Sequence, residues 1–220
     1  MKPLSKVEAI LFDLDGTLVD TAADFIHVLN FQRKQYGLSR LDPQTIRDTV
    51  SNGARALTEL AFGANFEDKR LELLELYADC AGDQAELFDG MENVLQHFES
   101  LNIPWGIVTN KPRRFTEILL DKLALSSRSA LTLCPDDVKK SKPDPESLFL
   151  ACERLQCEPM NTIYVGDHER DIIAGKAANM KTVVARFGYI LDKTSISSWQ
   201  ADFEIDHPNE LISLFNTSKQ

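Results

Sequence analysis

Cysteine is scarce in this chain: Cys80, Cys134, Cys152 and Cys157 are the only four among 220 residues. None of them pairs as C-x-x-C, which excludes a zinc ribbon and a thioredoxin-like motif. They are also too few for the dense framework of a small secreted disulfide scaffold. Free thiols in a reducing compartment are the expectation. A basic stripe is missing too. The net charge is −10, and the densest basic cluster, Lys139, Lys140 and Lys142, is short. That balance argues against nucleic acid and against an anionic membrane as partner. It leaves room for a small anionic substrate, because a metal and a few cations reverse the field inside a cleft. No apolar run reaches the length of a membrane span. The apolar run near the N-terminus is too short for a signal peptide and ends in two aspartates, so a cytoplasmic location is expected. Internal repeats and low-complexity tracts are lacking as well.

What is present is an ordinary apolar fraction of 43%, enough for a packed core without staples. The length suits one main domain carrying one insertion. Val7 to Leu14 (VEAILFDL) reads as a buried parallel strand running into Asp-Gly-Thr. From Thr21 to about Glu86 the apolar spacing is helical, and no strand is predicted there. Thr21 is placed to cap the first of these helices. After Phe88, strands at Ile103–Thr109, Ala130–Leu133, Thr162–Gly166 and Thr182–Ala185 alternate with helical segments, the last of them Pro208–Phe215. The expected fold is α/β: a doubly wound parallel (Rossmann-like) sheet built from 1–19 and 87–220, with a helical cap inserted at 20–86. The final residues, 217–220, are expected to fray.

Four short constellations follow predicted strands. In Asp13-Leu14-Asp15-Gly16-Thr17 two carboxylates lie two apart, and Gly16 permits the turn that aims both into one cleft. A carboxylate is a workable nucleophile toward phosphorus held by a metal. A second one beside it can give a proton to the leaving oxygen and later take one from water. Thr109-Asn110-Lys111 offers a hydroxyl and backbone N–H groups for phosphate oxygens, or is ordinary turn chemistry. Lys142 in SKPDP is either a fixed point charge for a phosphoryl group or a solvated lysine. In GDHERD, Asp167 and Asp171 are spaced to share one face of a helix start. They either hold a hard cation or favour the helix dipole, and His168 reads as a loop residue. Strand ends of one parallel sheet converge on one edge. Asp13, Asp15, Asp167 and Asp171 gathered there would repel strongly without a cation, and oxygen-only ligands favour Mg²⁺ over zinc.

DLDGT, VTN, KPDP and GDHERD in this order resemble the haloacid dehalogenase superfamily over nearly the whole chain. The resemblance implies that Asp13 is the nucleophile that becomes an aspartyl phosphate and Asp15 the general acid, then base. It implies that Thr109 and Lys142 position the phosphoryl group, helped by the Asn110 backbone. Mg²⁺ would bind Asp13, the Asp15 carbonyl and Asp167, with Asp171 in support. The helical insertion would be the cap that closes over substrate. True dehalogenases lack the acid found here as Asp15, so hydrolysis of a phosphomonoester is expected, with a sugar phosphomutase as the alternative. A phosphonate hydrolase would need a cap lysine, and the corresponding stretch holds Arg55 instead. Within the superfamily the chain is similar to bacterial phosphoglycolate phosphatases. SNGARAL, LFDGM, WGIVTNKPRRF, CPDDVKKSKPDPE, FGYI and DHPNEL lean further toward phosphatases of N-acetylmuramic acid 6-phosphate. Both substrates carry a carboxylate, which Arg55 is suited to pair with. A phosphoacceptor signalling domain is a rival, disfavoured by the helical insertion and by Asp15; a catalytically silent binding module is another. The small phosphorylated metabolite is the expected partner, and the chain is expected to be a monomer, with a dimer left open.

Overall fold

The computed structural model describes residues 7–64 and 67–216; the expectation that 217–220 fray lies outside them. Six parallel strands form one sheet: β1 (Ala9–Phe12), β4 (Trp105–Val108), β5 (Leu131–Leu133), β6 (Thr162–Gly166), β7 (Lys181–Ala185) and β8 (Phe203–Ile205). Their order is β5-β4-β1-β6-β7-β8. The chain builds outward from β1 through β4 to β5, then returns to β6 on the other side of β1. The reversal of strand order therefore lies between β1 and β6, where such sheets open a crevice at their carboxyl ends. Leu11 is in register with Gly106 and Tyr164, which fixes the heights of the strand ends relative to one another.

The sheet is covered on both faces, as its unbroken apolar strands require. On one face Ile10, Phe12, Ile107 and Val165 pack against α5 (Met91–Ser100), α6 (Arg113–Lys122) and α10 (Glu210–Asn216). On the other, Leu11, Val108 and Tyr164 meet α7 (Glu146–Leu155) and α8 (Glu169–Ala177). Successive side chains of one strand thus feed opposite cores. Asn179 ends α8 at a φ of +61°, the left-handed stop expected of Asn after a helix.

Between β2 (Val19–Asp20) and β3 (Glu86–Leu87) the chain is helical: α1 (Ala22–Gln35), α2 (Pro43–Arg47), α3 (Gly53–Phe62) and α4 (Glu67–Cys80). β2 and β3 pair antiparallel, Val19 opposite Leu87 and Asp20 opposite Glu86. The helices bury their own cluster, centred on Phe25, Leu29, Ile46, Leu57, Leu73 and Tyr77. Phe115 of α6 and Tyr189, just after β7, enter that cluster from the sheet side. Phe25 stacks on Tyr77 with centroids 4.2 Å apart, and Tyr77 meets Phe115 edge-on at 5.6 Å. Thr21 occupies the position before α1, but its hydroxyl does not cap the helix. The Tyr189 hydroxyl does so instead, accepting from the N–H groups of Thr21 (2.7 Å) and Ala22 (3.0 Å). β8 and the short α9 (Ile196–Trp199) were not expected from the sequence. No described helix is long and apolar enough to cross a membrane.

Candidate active site

β1 ends by placing Asp13 at the strand-order reversal, where its N–H donates to the Val165 carbonyl at 2.9 Å. Leu14 turns into the core, so the carboxylates on either side of it turn away from the core. Gly16 follows at a φ of +86°. A Cβ there would land on the Asp167 carboxylate and the Tyr189 ring, so the position needs glycine for space as well as for conformation. Thr109 extends β4, its N–H bonding to Leu133, and its hydroxyl accepts from the Lys111 N–H at 3.0 Å. The Asn110 side chain clasps the Lys142 backbone, donating to its carbonyl (2.9 Å) and accepting from its N–H (3.2 Å). This clasp ties the loop after β4 to the loop after β5.

Held in this way, Lys142 is buried, and its Nζ is ringed by oxygens. Asp13 Oδ1 (2.8 Å), Asp171 Oδ1 (2.8 Å), the Val108 carbonyl (2.9 Å) and the Tyr164 hydroxyl (2.7 Å) surround it. The solvated-lysine alternative is thereby removed. Asp167 ends β6, and Asp171 lies in the first turn of α8, where it accepts from the His168 N–H at 3.1 Å. His168 begins that helix, its Nδ1 accepting from the Arg170 N–H. Burial and the neighbouring Arg170 push its imidazole down to about 4, so it stays neutral.

Asp13, Asp167 and Asp171 each bring one oxygen within 4.8 Å of the others. All three are buried, and Asp167 Oδ1 has no hydrogen-bond partner. Burial, offset in part by Lys142 and aggravated by Asp171, raises Asp13 to about 6. Burial, with Asp13 and Asp171 beside it, raises Asp167 to about 8. Three crowded carboxylates, one with an orphaned oxygen, fit a hard divalent cation. The Asp15 carboxylate stands apart from this group. Its Oδ1 accepts from Thr21 Oγ (2.6 Å) and Lys111 Nζ (2.8 Å).

A cavity of about 340 Å³ opens over Asp13, Asp15 and Thr109. Phe25, Leu74, Tyr77 and Phe115 supply an apolar wall; Ser51, Asn52, Arg55 and Arg70 come from the helical segment above. Arg55 is exposed. Glu67 is held below its usual range by a hydrogen bond from Arg70 and, further off, by the charge of Arg55. The helical segment also reaches the carboxylate cluster directly. Ser51 Oγ donates to Asp167 Oδ2 at 3.0 Å, and Arg170 of α8 donates to the Ser51 carbonyl. The sequence reading assigned no part to Lys111, Ser51, Tyr164, Arg170 or Tyr189. Lys111 and Arg170 both lie as cations within flagged strand-end motifs; the contacts they make with Asp15 and Ser51 join distant segments, which no local pattern marks.

A sequence profile of the haloacid dehalogenase-like hydrolases matches residues 10–185. An N-acetylmuramic acid 6-phosphate phosphatase of Pseudomonas putida is 45% identical, covering 97% of this chain and 98% of its own. A phosphoglycolate phosphatase of Xanthomonas campestris is 40% identical, covering 92% and 94%. The crystal structure of a predicted phosphoglycolate phosphatase from Haemophilus somnus superposes with a TM-score of 0.83 at 21% identity, covering 94% of this chain and 97% of that one.

Proposed function

Since the chain belongs to the haloacid dehalogenase-like hydrolases, we propose that it is a Mg²⁺-dependent phosphomonoesterase acting on N-acetylmuramic acid 6-phosphate through a phosphorylated Asp13. One observation carries the reading. A buried nucleophile candidate, Asp13, is fixed by Lys142 and opens on a cavity that a second carboxylate, Asp15, also lines.

In the first step an Asp13 oxygen attacks phosphorus, the bond to the sugar oxygen breaks, and Asp15 delivers a proton to that leaving oxygen. In the second, Asp15 takes a proton from water, the oxygen of that water attacks phosphorus, and Asp13 is regenerated with release of inorganic phosphate. Lys142 keeps Asp13 ionised and oriented through the bond to Oδ1. Thr109 and the Asn110 backbone N–H hold phosphoryl oxygens. When bound by Asp13, Asp167, Asp171 and the Asp15 carbonyl, Mg²⁺ neutralises the charge crowded at the phosphoryl group. Residues 20–86 act as the cap; the bond from Ser51 to Asp167 is their seated position.

The substrate assignment draws on two features. Relatives named for N-acetylmuramic acid 6-phosphate match nearly the whole chain, at 45% and 42% identity. The cavity combines a broad apolar wall with three arginines, Arg55 and Arg70 from the helical segment and Arg170 from α8, which suits a sugar carrying acetyl and lactyl groups and a carboxylate. Arg55 is assigned to that carboxylate. Phosphoglycolate is the second reading, favoured by the 40% identical relative of Xanthomonas. It offers nothing to the apolar wall. Phosphate release with Mg²⁺ from both substrates side by side is the test. The expected result is a catalytic efficiency at least about tenfold higher for the sugar phosphate, a difference of about 1.4 kcal/mol, with activity abolished in Asp13→Asn. Preference for phosphoglycolate overturns the substrate, an active Asp13→Asn overturns the mechanism, and an isomerised sugar phosphate without free phosphate establishes a mutase.

A further inference from the structure

Lys111 is nearly as buried as Lys142, with its side chain 6% exposed, yet no part of the two chemical steps uses it. It follows Thr109 and Asn110 at the end of β4 and turns toward the helical segment. Its Nζ lies 4.7 Å from the centroid of the Tyr77 ring and 5.1 Å from that of Phe25. These rings stack on each other from α4 and α1. An ammonium packed beside this stacked pair loses the freedom of its long stem. The direction left to its charge is the Asp15 carboxylate, 2.8 Å away.

The contact is one-sided. Lys111 and Thr21 both donate to Asp15 Oδ1, and neither donates to Oδ2. A carboxylate gripped through one oxygen has its rotation fixed and its other oxygen presented to the cavity. Proton transfer depends steeply on such placement, because donor and acceptor must sit at hydrogen-bond distance when the phosphorus–oxygen bond breaks. We propose that Lys111 is a positioning residue for Asp15: it locks Oδ1 so that Oδ2 carries the proton to the leaving oxygen and later takes one from water. Lys111 retains its own protons throughout. Its positive charge offsets the negative charge on Asp15 between the two transfers. The helical segment supplies the two rings, so the alignment of the proton relay depends on that segment being seated.

The inference rests on the phosphatase reading, and the experiment separates the two. Lys111→Met keeps an unbranched stem against the rings and removes the charge. With a sugar phosphate substrate, kcat is expected to fall about 10- to 100-fold, part of the range that general acid–base catalysis supplies, while KM stays within about threefold of wild type. Acid quenching is expected to trap more phosphorylated enzyme from p-nitrophenyl phosphate. This leaving group needs little help from an acid, whereas the water step still needs the base. In an Asp15→Asn background the same substitution is expected to add almost nothing, since both changes disable one relay. An equal additional loss in that background overturns the proposal. So does a raised KM confined to carboxylated substrates, which would make Lys111 a substrate ligand. Should Lys111→Met prove too unstable to assay, Lys111→Gln is measured in the same cycle and read by the same criteria. Wild-type protein that releases no phosphate from any of these compounds removes the phosphatase reading and this inference with it. Wild-type turnover matched by Lys111→Met removes the inference alone.

Discussion

Gly16 sits where the loop after β1, the carboxylate cluster and the Tyr189 ring meet. Its backbone is left-handed at a φ of +86°, which costs an L-residue roughly 1–2 kcal/mol before any clash. Gly16→Ala would also push its methyl group into Asp167. The expected outcome is a lower Tm together with loss of most of the Tm increase that Mg²⁺ gives the wild type. A variant with normal metal response would show that Asp167 has room to move. Asp13, Thr109 and Asp167 were legible in the sequence because each directly follows a buried strand, and the strand direction dictates where the next side chain emerges. Lys142 was legible only in company: alone, SKPDP reads as a surface turn with a solvated lysine. Side-chain reach was not legible. Asn110 was expected to serve through its backbone, yet its side chain spends both polar atoms on the Lys142 backbone. Lys111 stood in a flagged motif, but its partners Phe25 and Tyr77 come from far along the chain, and no local pattern links them.

At the scale of elements, the join between α1 and the sheet is made by a tyrosine from beyond β7. The Tyr189 hydroxyl accepts from two N–H groups at the start of α1 and donates to Asp20 Oδ1 at 2.7 Å. Its own N–H donates to Asp167 Oδ2 at 2.8 Å. Tyr189→Phe removes the acceptor from the buried Thr21 N–H and leaves the Ala22 N–H only its longer bond to Asp20 Oδ1, with the ring still in place. Unfolding in denaturant is expected to show a loss of about 1–3 kcal/mol, the usual cost of unsatisfied buried groups; an unchanged midpoint would mean that water takes over the cap. The sequence indicated Thr21 for this task because threonine before a helix commonly caps it. Its hydroxyl is drawn instead to Asp15, a charged acceptor and hence the stronger partner. The alternating strands and long amphipathic helices were readable from their periodicity. β8, with only Phe203, Glu204 and Ile205, is too short to establish a period, and β2 and β3 have two residues each.

For the whole molecule, the carboxylate cluster couples stability to pH and, on the proposed reading, to metal. Asp13 and Asp167 bind protons more tightly in the folded chain than their ordinary value of 3.8, at about 6 and about 8. The sign follows from which state holds more protons. Their stabilising contribution is complete below about pH 4 and is lost as pH rises through 6 and then 8. A divalent cation held by the cluster would compete with those same protons. The gap between Tm with Mg²⁺ and Tm with a chelator is therefore expected to widen steadily from about pH 5 to pH 8. A gap independent of pH would place the metal elsewhere. The neck of the helical segment has a different consequence. Because Val19 pairs with Leu87 and Asp20 with Glu86, the chain leaves the sheet and comes back at one spot. A segment hung from such a closed neck can be lengthened, shortened or traded for another without opening the sheet beneath it. On the proposed reading, selection can then vary the part that chooses a substrate while the carboxylates that act on phosphorus stay as they are, and one neck suffices for a family of lids.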